Sequence, residues 1–453
     1  MKQTIKPNES QGANPQDQDN EMLDVLQRRT FTYFLKEVND DTGLIADKTE
    51  PGSPSSIAAT GIGLSCYIVG IERGFITRAE AIKRTLILLK FLHKSQQGTE
   101  ADATGYKGFY YHFLDMETGK RAVECELSTI DTAILLAGIL TARYYFTGDD
   151  RSEIEIRMYA DELYARVDWQ WALNGEDSIS HGWKPEAGFL RSCWDMKYSE
   201  AHLIYILALG SATFPVSPAL YKKWTSTFEW KKIYDTECIY AAPLFIHQMS
   251  QIWLDCKGIN DDLNRKIGID YFENSSRATQ IQQQYAIENP LGFPHYGENG
   301  WGFTASEGPG PATLTIDGIK REFYDYIARG APFGLDDGTI SPWAVVTSLP
   351  FLPKVILSTM RHAIGKLQEY EKHHDYGFDA SYNLSFREQD SKSSGWVSEW
   401  QFGLNQGPII LMIENYKSGL IWNIMKRCPY VVNGLHKAGF RGGWLDLTII
   451  KEN

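Results

Sequence analysis

Two kinds of helical pattern alternate along the chain. Segments with apolar residues on one side only, such as 77–95 and 151–167, follow segments that are apolar almost all round, such as 57–73 and 127–145. The first pattern is typical of a helix half exposed at the surface, and the second of a helix buried on every side. With about six segments of each kind, the pattern predicts an all-α fold, an (α/α)6 barrel in which six helical hairpins form a toroid.

The other elements follow from the same periodicity. Residues 1–20 are polar, lack the apolar core of a signal peptide and are expected to form a disordered lead-in, whereas 21–453 form a single domain. A short strand is expected in the tail, 440–450. Further helices are expected at 21–38, 200–209, 217–228, 240–254, 262–284, 342–349, 352–370, 408–416 and 420–426.

The lengths of the connections are unequal. Those that lead from an apolar helix to an amphipathic one are short, such as 74–76 and 147–150, whereas most of those in the other direction are far longer. In a toroid the long loops would all lie on one face, and such loops usually build a site. We therefore expect the functional residues in these loops.

Composition narrows the class of ligand. The net charge of −12 argues against nucleic acid or an anionic membrane surface as a partner, and no run of about 18 apolar residues predicts a membrane span. Thirteen Trp and 24 Tyr suit carbohydrate binding, although an aromatic-rich core would look the same. The six cysteines are widely spaced and form no CxxC motif, so we expect free thiols, no metal and no cofactor.

The loop at 105–131 contains the first pair of candidate carboxylates. Glu126 precedes an apolar helix and has no obvious capping role, so it is either catalytic or a solvated loop charge. Asp131 stands three residues after Ser128, which is also the spacing of a helix cap. Tyr111 and His112 are expected to line a sugar subsite, although His112 could equally be a hydrogen-bonded structural histidine.

The loop at 183–200 ends in a third carboxylate. We expect Ser199 to cap the next helix and Glu200 to lie in its first turn, where the helix N-terminus would stabilise the ionised carboxylate and neighbouring carboxylates would oppose it. The same loop contains aromatic and acidic residues that could bind sugar: Trp183, Phe189, Trp194 and Asp195.

Two later loops repeat the combination of carboxylates with aromatic residues. The segment 289–317 is rich in Gly and Pro and contains Trp301 and Glu307, and the segment 375–406 contains Trp396, Glu399 and Trp400. We expect all five to contact substrate. Several carboxylates beside aromatic rings suit the hydrolysis of a glycosidic bond, in which one carboxyl group protonates the leaving oxygen and a second acts as base or nucleophile.

Other chemistries have no motif in this sequence. There is no GxSxG, no Walker loop, no GxGxxG after a strand and no HExxH. Two alternatives to hydrolysis stay open: a polysaccharide lyase or sugar epimerase on the same scaffold, with His112, His202 or a Tyr as base, and a glycan-binding protein without turnover.

Five long strings carry a family resemblance: GFYYHFLDMETGKR, ECELSTIDTAILLAGIL, GFLRSCWDMKYSEAHLIYILALGS, GFTASEGP and GWVSEWQFGLNQGPI. With these strings the chain resembles the glucoamylase-like family of bacterial proteins, and most of all glycoside hydrolase family 144, the endo-β-1,2-glucanases. The resemblance spans roughly residues 23–444.

The resemblance implies an (α/α)6 barrel that hydrolyses β-1,2-glucan with inversion at the anomeric carbon and without a metal. By motif, the acidic residues of the family fall on the segments that hold Glu126, Asp131 and Glu200. We expect Glu200 to be the general acid and Glu126 or Asp131 to activate water. The resemblance also implies a periplasmic or secreted protein, with a cytoplasmic one as the alternative, and we expect a monomer.

Overall fold

The computed structural model describes residues 14–316, 318–367, 376–387 and 395–448. In these ranges the helices are α1 Pro15–Phe31, α2 Tyr33–Lys36, α3 Ile57–Glu72, α4 Arg78–Lys94, α5 Thr129–Tyr145, α6 Arg151–Ala165, α7 His202–Gly210, α8 Pro218–Thr225, α9 Leu244–Gln248, α10 Asp262–Ile267, α11 Tyr271–Glu288, α12 Pro342–Thr347, α13 Pro353–Leu367, α14 Gly403–Lys417, α15 Leu420–Met425, α16 Pro429–Lys437 and α17 Gly443–Asp446. The chain is thus rich in helix, as its periodicity predicts.

Short strands lie in the loops between these helices. They are β1 Ser55–Ser56, β2 Gly105–Tyr106, β3 Phe109–Tyr111, β4 Phe113–Leu114, β5 Leu127–Ser128, β6 Gly182–Lys184, β7 Gly188–Phe189, β8 Trp230–Ile233, β9 Thr236–Ile239, β10 Ala305–Ser306, β11 Ala312–Ile316, β12 Ile319–Phe323, β13 Ile327–Ala328, β14 Tyr382–Asn383 and β15 Trp396–Val397. Five of them form one antiparallel sheet in the order β2-β3-β5-β6-β7.

The helices that are apolar all round pack against one another. Helix α3 contacts α5 and α14, α5 also contacts α7, and α12 contacts both α14 and α9. The approach of α3 to α5 is close because both helices have a glycine at the crossing: a Cβ at Gly138 would stand 1.9 Å from the carbonyl oxygen of Gly61. The amphipathic helices cover this layer, with α6 on α5, α1 on α14 and α11 on α9.

Several predicted boundaries are wrong. The first helix begins at Pro15 rather than at residue 21, because Asn14 caps it and proline suits the first turn; the predicted disorder of residues 1–13 lies outside the described residues. The segment 262–284 is two helices, since Gly268 takes a left-handed conformation (φ +81°) that ends α10. The segment 240–254 contains only α9 and a 3₁₀ turn, and the described part of the tail contains α17 instead of a strand.

Candidate functional site

The first two carboxylates are placed by strand β5 and the start of helix α5. Glu126 directly precedes β5, which pairs with β3 on one side and β6 on the other. Ser128 ends the strand and caps α5 by accepting a hydrogen bond from the backbone N–H of Asp131. The Ser128 hydroxyl in turn donates to Oδ2 of Asp131, so the carboxylate is held in the first turn of the helix.

His112 lies between these two carboxylates. Its Nδ1 is 3.0 Å from Oε1 of Glu126 and its Nε2 is 3.7 Å from Oδ2 of Asp131, while the ring stacks on Phe113 with a centroid distance of 4.0 Å. Burial disfavours the charged imidazole, but Asp131, Glu126 and Asp47 prevail and raise the pKa of His112 to about 9. The site therefore contains a cation at neutral pH.

Glu126 responds to this cation. Burial would raise the pKa of its carboxyl group, but the hydrogen bond from His112 and the charges of His112 and Lys184 outweigh burial and lower that pKa. Gly182 of the neighbouring strand leaves room for the side chain, since a Cβ at this position would stand 3.1 Å from Cγ of Glu126. Glu126 is thus an ionised carboxylate with a fixed partner.

Asp47 is a fourth acidic residue of the site that the sequence does not reveal. Its carbonyl oxygen accepts a hydrogen bond from the N–H of Gly403 (2.9 Å), next to a bridge between Lys48 and Phe402, so the loop before α3 is tied to the start of α14. Burial and the charge of Asp131 raise the pKa of Asp47 to about 6, against the opposing charges of His112 and Lys48.

Glu200 lies in a turn before α7, and not in the first turn of that helix as predicted. The helix begins at His202, and the hydroxyl of Ser199 makes no capping hydrogen bond. The turn is held from another segment, because the Ser250 hydroxyl donates to the carbonyl oxygen of Glu200 (2.5 Å). Burial, together with the charge of Asp131, raises the pKa of Glu200 to about 7, although a backbone N–H favours the ionised form.

Glu307 is held by the loops that follow β10 and β15. Oε2 of Glu307 accepts a hydrogen bond from the Ser398 hydroxyl (2.5 Å), and its backbone oxygen accepts one from Ser381. Burial raises the pKa of Glu307, and the attraction of Lys48 is too weak to reverse this. Lys48 also acts on Asp47, its neighbour in the chain.

A buried ion pair anchors the loop that contains Glu307. The guanidinium of Arg329 pairs with both oxygens of Asp337 at 2.8 Å and donates to the carbonyl oxygen of Ser306 (2.6 Å). Both side chains of the pair are almost fully buried. Arg329 also donates to the carbonyl oxygens of Tyr324 and Asp325, next to Tyr326 in the chain. Tyr326 is 55% exposed, and its ring lies 6.2 Å from that of Phe402.

The predicted sugar platforms Trp183 and Phe189 lie on the other side of the five-stranded sheet from Glu126. Directly opposed residues of an antiparallel sheet share a face, and neighbours along a strand alternate. Tyr111, Leu127, Trp183 and Phe189 are opposed across four strands and so share one face. Glu126 points to the opposite face, where the position of Gly182 also lies. Tyr111 is fully buried.

The remaining predicted contacts differ in exposure. Trp194 is buried, stacks on His181 (3.8 Å) and donates to Thr129, so its ring is already covered. Trp301 is 1% exposed and packs in a hydrophobic core cluster. The other four lie at the surface or near it: Asp195, Trp396 and Trp400 are half-buried, and Glu399 is exposed.

Three further predictions concern the cysteines, metal ligands and membrane-spanning helices. All six cysteines are free, and five of them are buried, as predicted. No group of three or more His, Cys, Asp or Glu side chains in the described ranges is arranged to hold a metal ion. Within the same part of the chain, each helix is too short or too polar to cross a bilayer.

Comparison with known proteins identifies the family. The family model described as "Putative glucoamylase" matches residues 193–429, which is 237 of the 453 residues. A crystal structure of a protein described in the same words, from Bacteroides uniformis ATCC 8492, is 30% identical with a TM-score of 0.82 and covers 97% of this chain and 100% of its own. The chain belongs to this glucoamylase-like family, and the resemblance found in the sequence is confirmed.

Two relatives with assigned activities are also similar. The structure of an endo-β-1,2-glucanase from Chitinophaga pinensis, in complex with sophorotriose and glucose, is 25% identical with a TM-score of 0.80, and the match covers 94% of this chain and 99% of that one. An exo β-1,2-glucooligosaccharide sophorohydrolase from Parabacteroides distasonis is 29% identical over 92% of this chain. This chain spans 58% of the length of the sophorohydrolase.

Proposed function

We propose that this protein is a glycoside hydrolase that cleaves β-1,2-linked glucan, with Glu200 as general acid. The observation that carries the proposal is that burial, with a contribution from the charge of Asp131, raises the pKa of Glu200 to about 7. A general acid must be protonated near the working pH and stand close to a carboxylate that can act as base. The activities of the two relatives supply the substrate class.

The reaction follows from these roles. Protonated Glu200 gives its proton to the glycosidic oxygen as the bond to the anomeric carbon breaks. Glu126 or Asp131 takes a proton from a water molecule, directly or through a substrate hydroxyl, and the oxygen of that water bonds to the anomeric carbon from the opposite face. The products are two shorter glucans, and inversion of a β linkage gives an α-configured reducing end.

We also propose that the helices form an (α/α)6 barrel. The contacts of α3 with α5 and of α5 with α7, and those from α3 through α14 and α12 to α9, support a closed ring of six helical hairpins. The hydrogen bond between Ser250 and the turn before α7 supports the same arrangement. The ring would be one catalytic domain, with the sheet and the long loops at one mouth. We further propose a monomer in the periplasm or secreted, and gel filtration and fractionation of the native host test both points.

An aromatic cage around His202 argues against the lyase or epimerase alternative with this histidine as base. The ring is 5% exposed, with Tyr271 at 4.3 Å and Trp224 at 4.9 Å between centroids. Burial lowers the pKa of His202 to about 3. His202 thus has no route to substrate.

The experiment is an assay of new reducing ends and product sizes on linear β-1,2-glucan, with β-1,3-glucan, β-1,4-glucan and starch in parallel. Short oligosaccharides from β-1,2-glucan alone are expected, and their sizes distinguish endo from exo action. Proton NMR during the first minutes should show the α anomer forming first. Activity on starch alone would refute the substrate class, an unsaturated product absorbing near 235 nm would indicate a lyase, and binding without products would indicate a glycan-binding protein.

A further inference from the structure

The imidazole of His112 is surrounded by acidic groups. Glu126 lies 3.0 Å from Nδ1 and Asp131 lies 3.7 Å from Nε2, so each ring nitrogen faces one of the two carboxylates that could activate water. Asp47 approaches the same ring closely enough to act on its charge. The backbone fixes this arrangement as well, because the N–H of His112 donates to the carbonyl oxygen of Glu126 (2.9 Å).

We propose that His112 is a positioning residue, a charged bridge between Glu126 and Asp131 that neutralises Glu126 and leaves Asp131 as the carboxylate that activates water. This inference rests on the proposed function for the role of Asp131, but the charged bridge itself does not. The sequence assigned His112 to a sugar subsite or to a structural hydrogen bond, and neither role requires a charged ring that contacts both carboxylates.

The partners of the two carboxylates distinguish their roles. Glu126 is bound to Nδ1 at hydrogen-bond distance and is further stabilised by Lys184, which leaves it a weak base. Asp131 accepts a hydrogen bond from the Ser128 hydroxyl, and its carboxylate lies beyond hydrogen-bond distance from Nε2 of His112. The charge of Asp131 also contributes to the raised pKa of Glu200. We therefore assign Asp131, whose charge is not bound to the imidazolium at hydrogen-bond distance, as the base that works with the general acid.

The charges around the ring favour the imidazolium form. Three carboxylates face His112: Glu126 from the start of β5, Asp131 from α5 and Asp47 from the loop before α3. Two lysines act on these carboxylates: Lys48 opposes the rise in the pKa of Asp47, and Lys184 lowers the pKa of Glu126. With the ring stacked on Phe113, the burial of His112 is offset by its three anionic neighbours, and its pKa lies at about 9.

The first test is the pH profile of His112→Asn on β-1,2-glucan. Loss of an adjacent cation raises the pKa of a carboxylate. The acid limb of kcat/KM, which reports the free base, should therefore move to higher pH by about one unit. At the pH optimum kcat should fall by about tenfold or more. A rise in KM with an unmoved acid limb would refute the proposal, since a sugar ligand would behave in this way.

A matched control is available on the outer helices. His93 on α4 pairs with Glu162 on α6 at 2.6 Å and contacts Tyr159, so it reproduces an imidazole–carboxylate pair away from the carboxylate cluster. His93→Asn should leave the pH profile of wild type unchanged. An equal shift of the acid limb in this control would show that the effect is not specific to the bridge and would overturn the inference.

The second test does not use activity. NMR titration of the His112 imidazole should show a ring that stays protonated through pH 8 in wild type. In Glu126→Gln the same ring should lose its proton at a pH about one unit lower or more. A ring that titrates near 6.5 in both proteins would refute the bridge. If no glucan is hydrolysed while the NMR result holds, the proposed function fails and the charged bridge stands.

Discussion

Replacement of Glu200 by glutamine should stabilise the fold above about pH 4.5, with the full effect at pH 7 and higher. A carboxyl group whose pKa rises from 4.5 to about 7 on folding is neutral in both states below pH 4.5. Between these values the unfolded chain loses the proton that the folded protein retains, and above pH 7 the folded protein holds an unfavourable charge. The contribution of Glu200 to the free energy of unfolding is thus fully present below pH 4.5, falls as the pH rises, and is lost once the pH passes 7.

The magnitude follows from the two pKa values. One pH unit of difference corresponds to about 1.4 kcal/mol, so Glu200 costs up to about 3 kcal/mol of folding free energy at pH 8. Glutamine has nearly the same shape and no charge. Glu200→Gln should therefore unfold at higher urea concentration than wild type at pH 8, by about 2–3 kcal/mol, and should match it at pH 4.

Equilibrium urea unfolding at both pH values measures this difference. Glu399→Gln is the control, because Glu399 is exposed on a loop, and its stability should stay within about 0.5 kcal/mol of wild type at either pH. Equal stability of wild type and Glu200→Gln at pH 8 would refute the reasoning, since it would mean that the carboxylate of Glu200 is not desolvated.

Three further predictions test how the loops hold the site. Gly182→Ala should lower kcat on β-1,2-glucan and reduce the free energy of unfolding by about 1–3 kcal/mol, because the added methyl group overpacks the sheet. The control Gly98→Ala should change neither quantity, since its methyl group meets only the end of a flexible side chain. Equal losses of kcat and stability in both variants would contradict the prediction. Arg329→Met should reduce the free energy of urea unfolding by about 3–5 kcal/mol, because it leaves the buried charge of Asp337 without a partner. The double variant Arg329→Met/Asp337→Leu should regain most of this stability. Tyr326 is largely exposed, so Tyr326→Ala should raise KM severalfold at unchanged thermal stability. Tyr326→Phe, which keeps the ring and removes the hydroxyl, shows which of the two groups binds substrate. An unchanged KM in both variants would exclude substrate contact.

Sequence periodicity located the main helices because their burial is uniform. Helices α3 and α5 are apolar on every side and lie where the pattern predicts them. It misplaced the start of α7, because the residues before His202 continue the same pattern while the chain forms a turn. That turn is held by Ser250, fifty residues later, and so depends on a contact that local sequence does not contain.

The site was only partly predictable for a related reason. Glu126, Asp131 and Glu200 stand beside helices and could be found by position. Asp47 lies in an ordinary turn sequence, and its loop is held by distant residues such as Phe402 and Gly403. The faces of the sheet were not predictable either. Its strands have two or three residues, too few to show an alternating pattern, so the register alone decides where their side chains point.

The central claim is that Glu200 donates the proton that breaks a β-1,2 linkage. Its most direct test is the turnover of linear β-1,2-glucan by wild type and Glu200→Gln in parallel, with glucan binding measured on both by calorimetry. The account predicts hydrolysis by wild type, and binding within a few-fold but a loss of about 100-fold or more in kcat for the variant. Near-normal turnover by Glu200→Gln would contradict it.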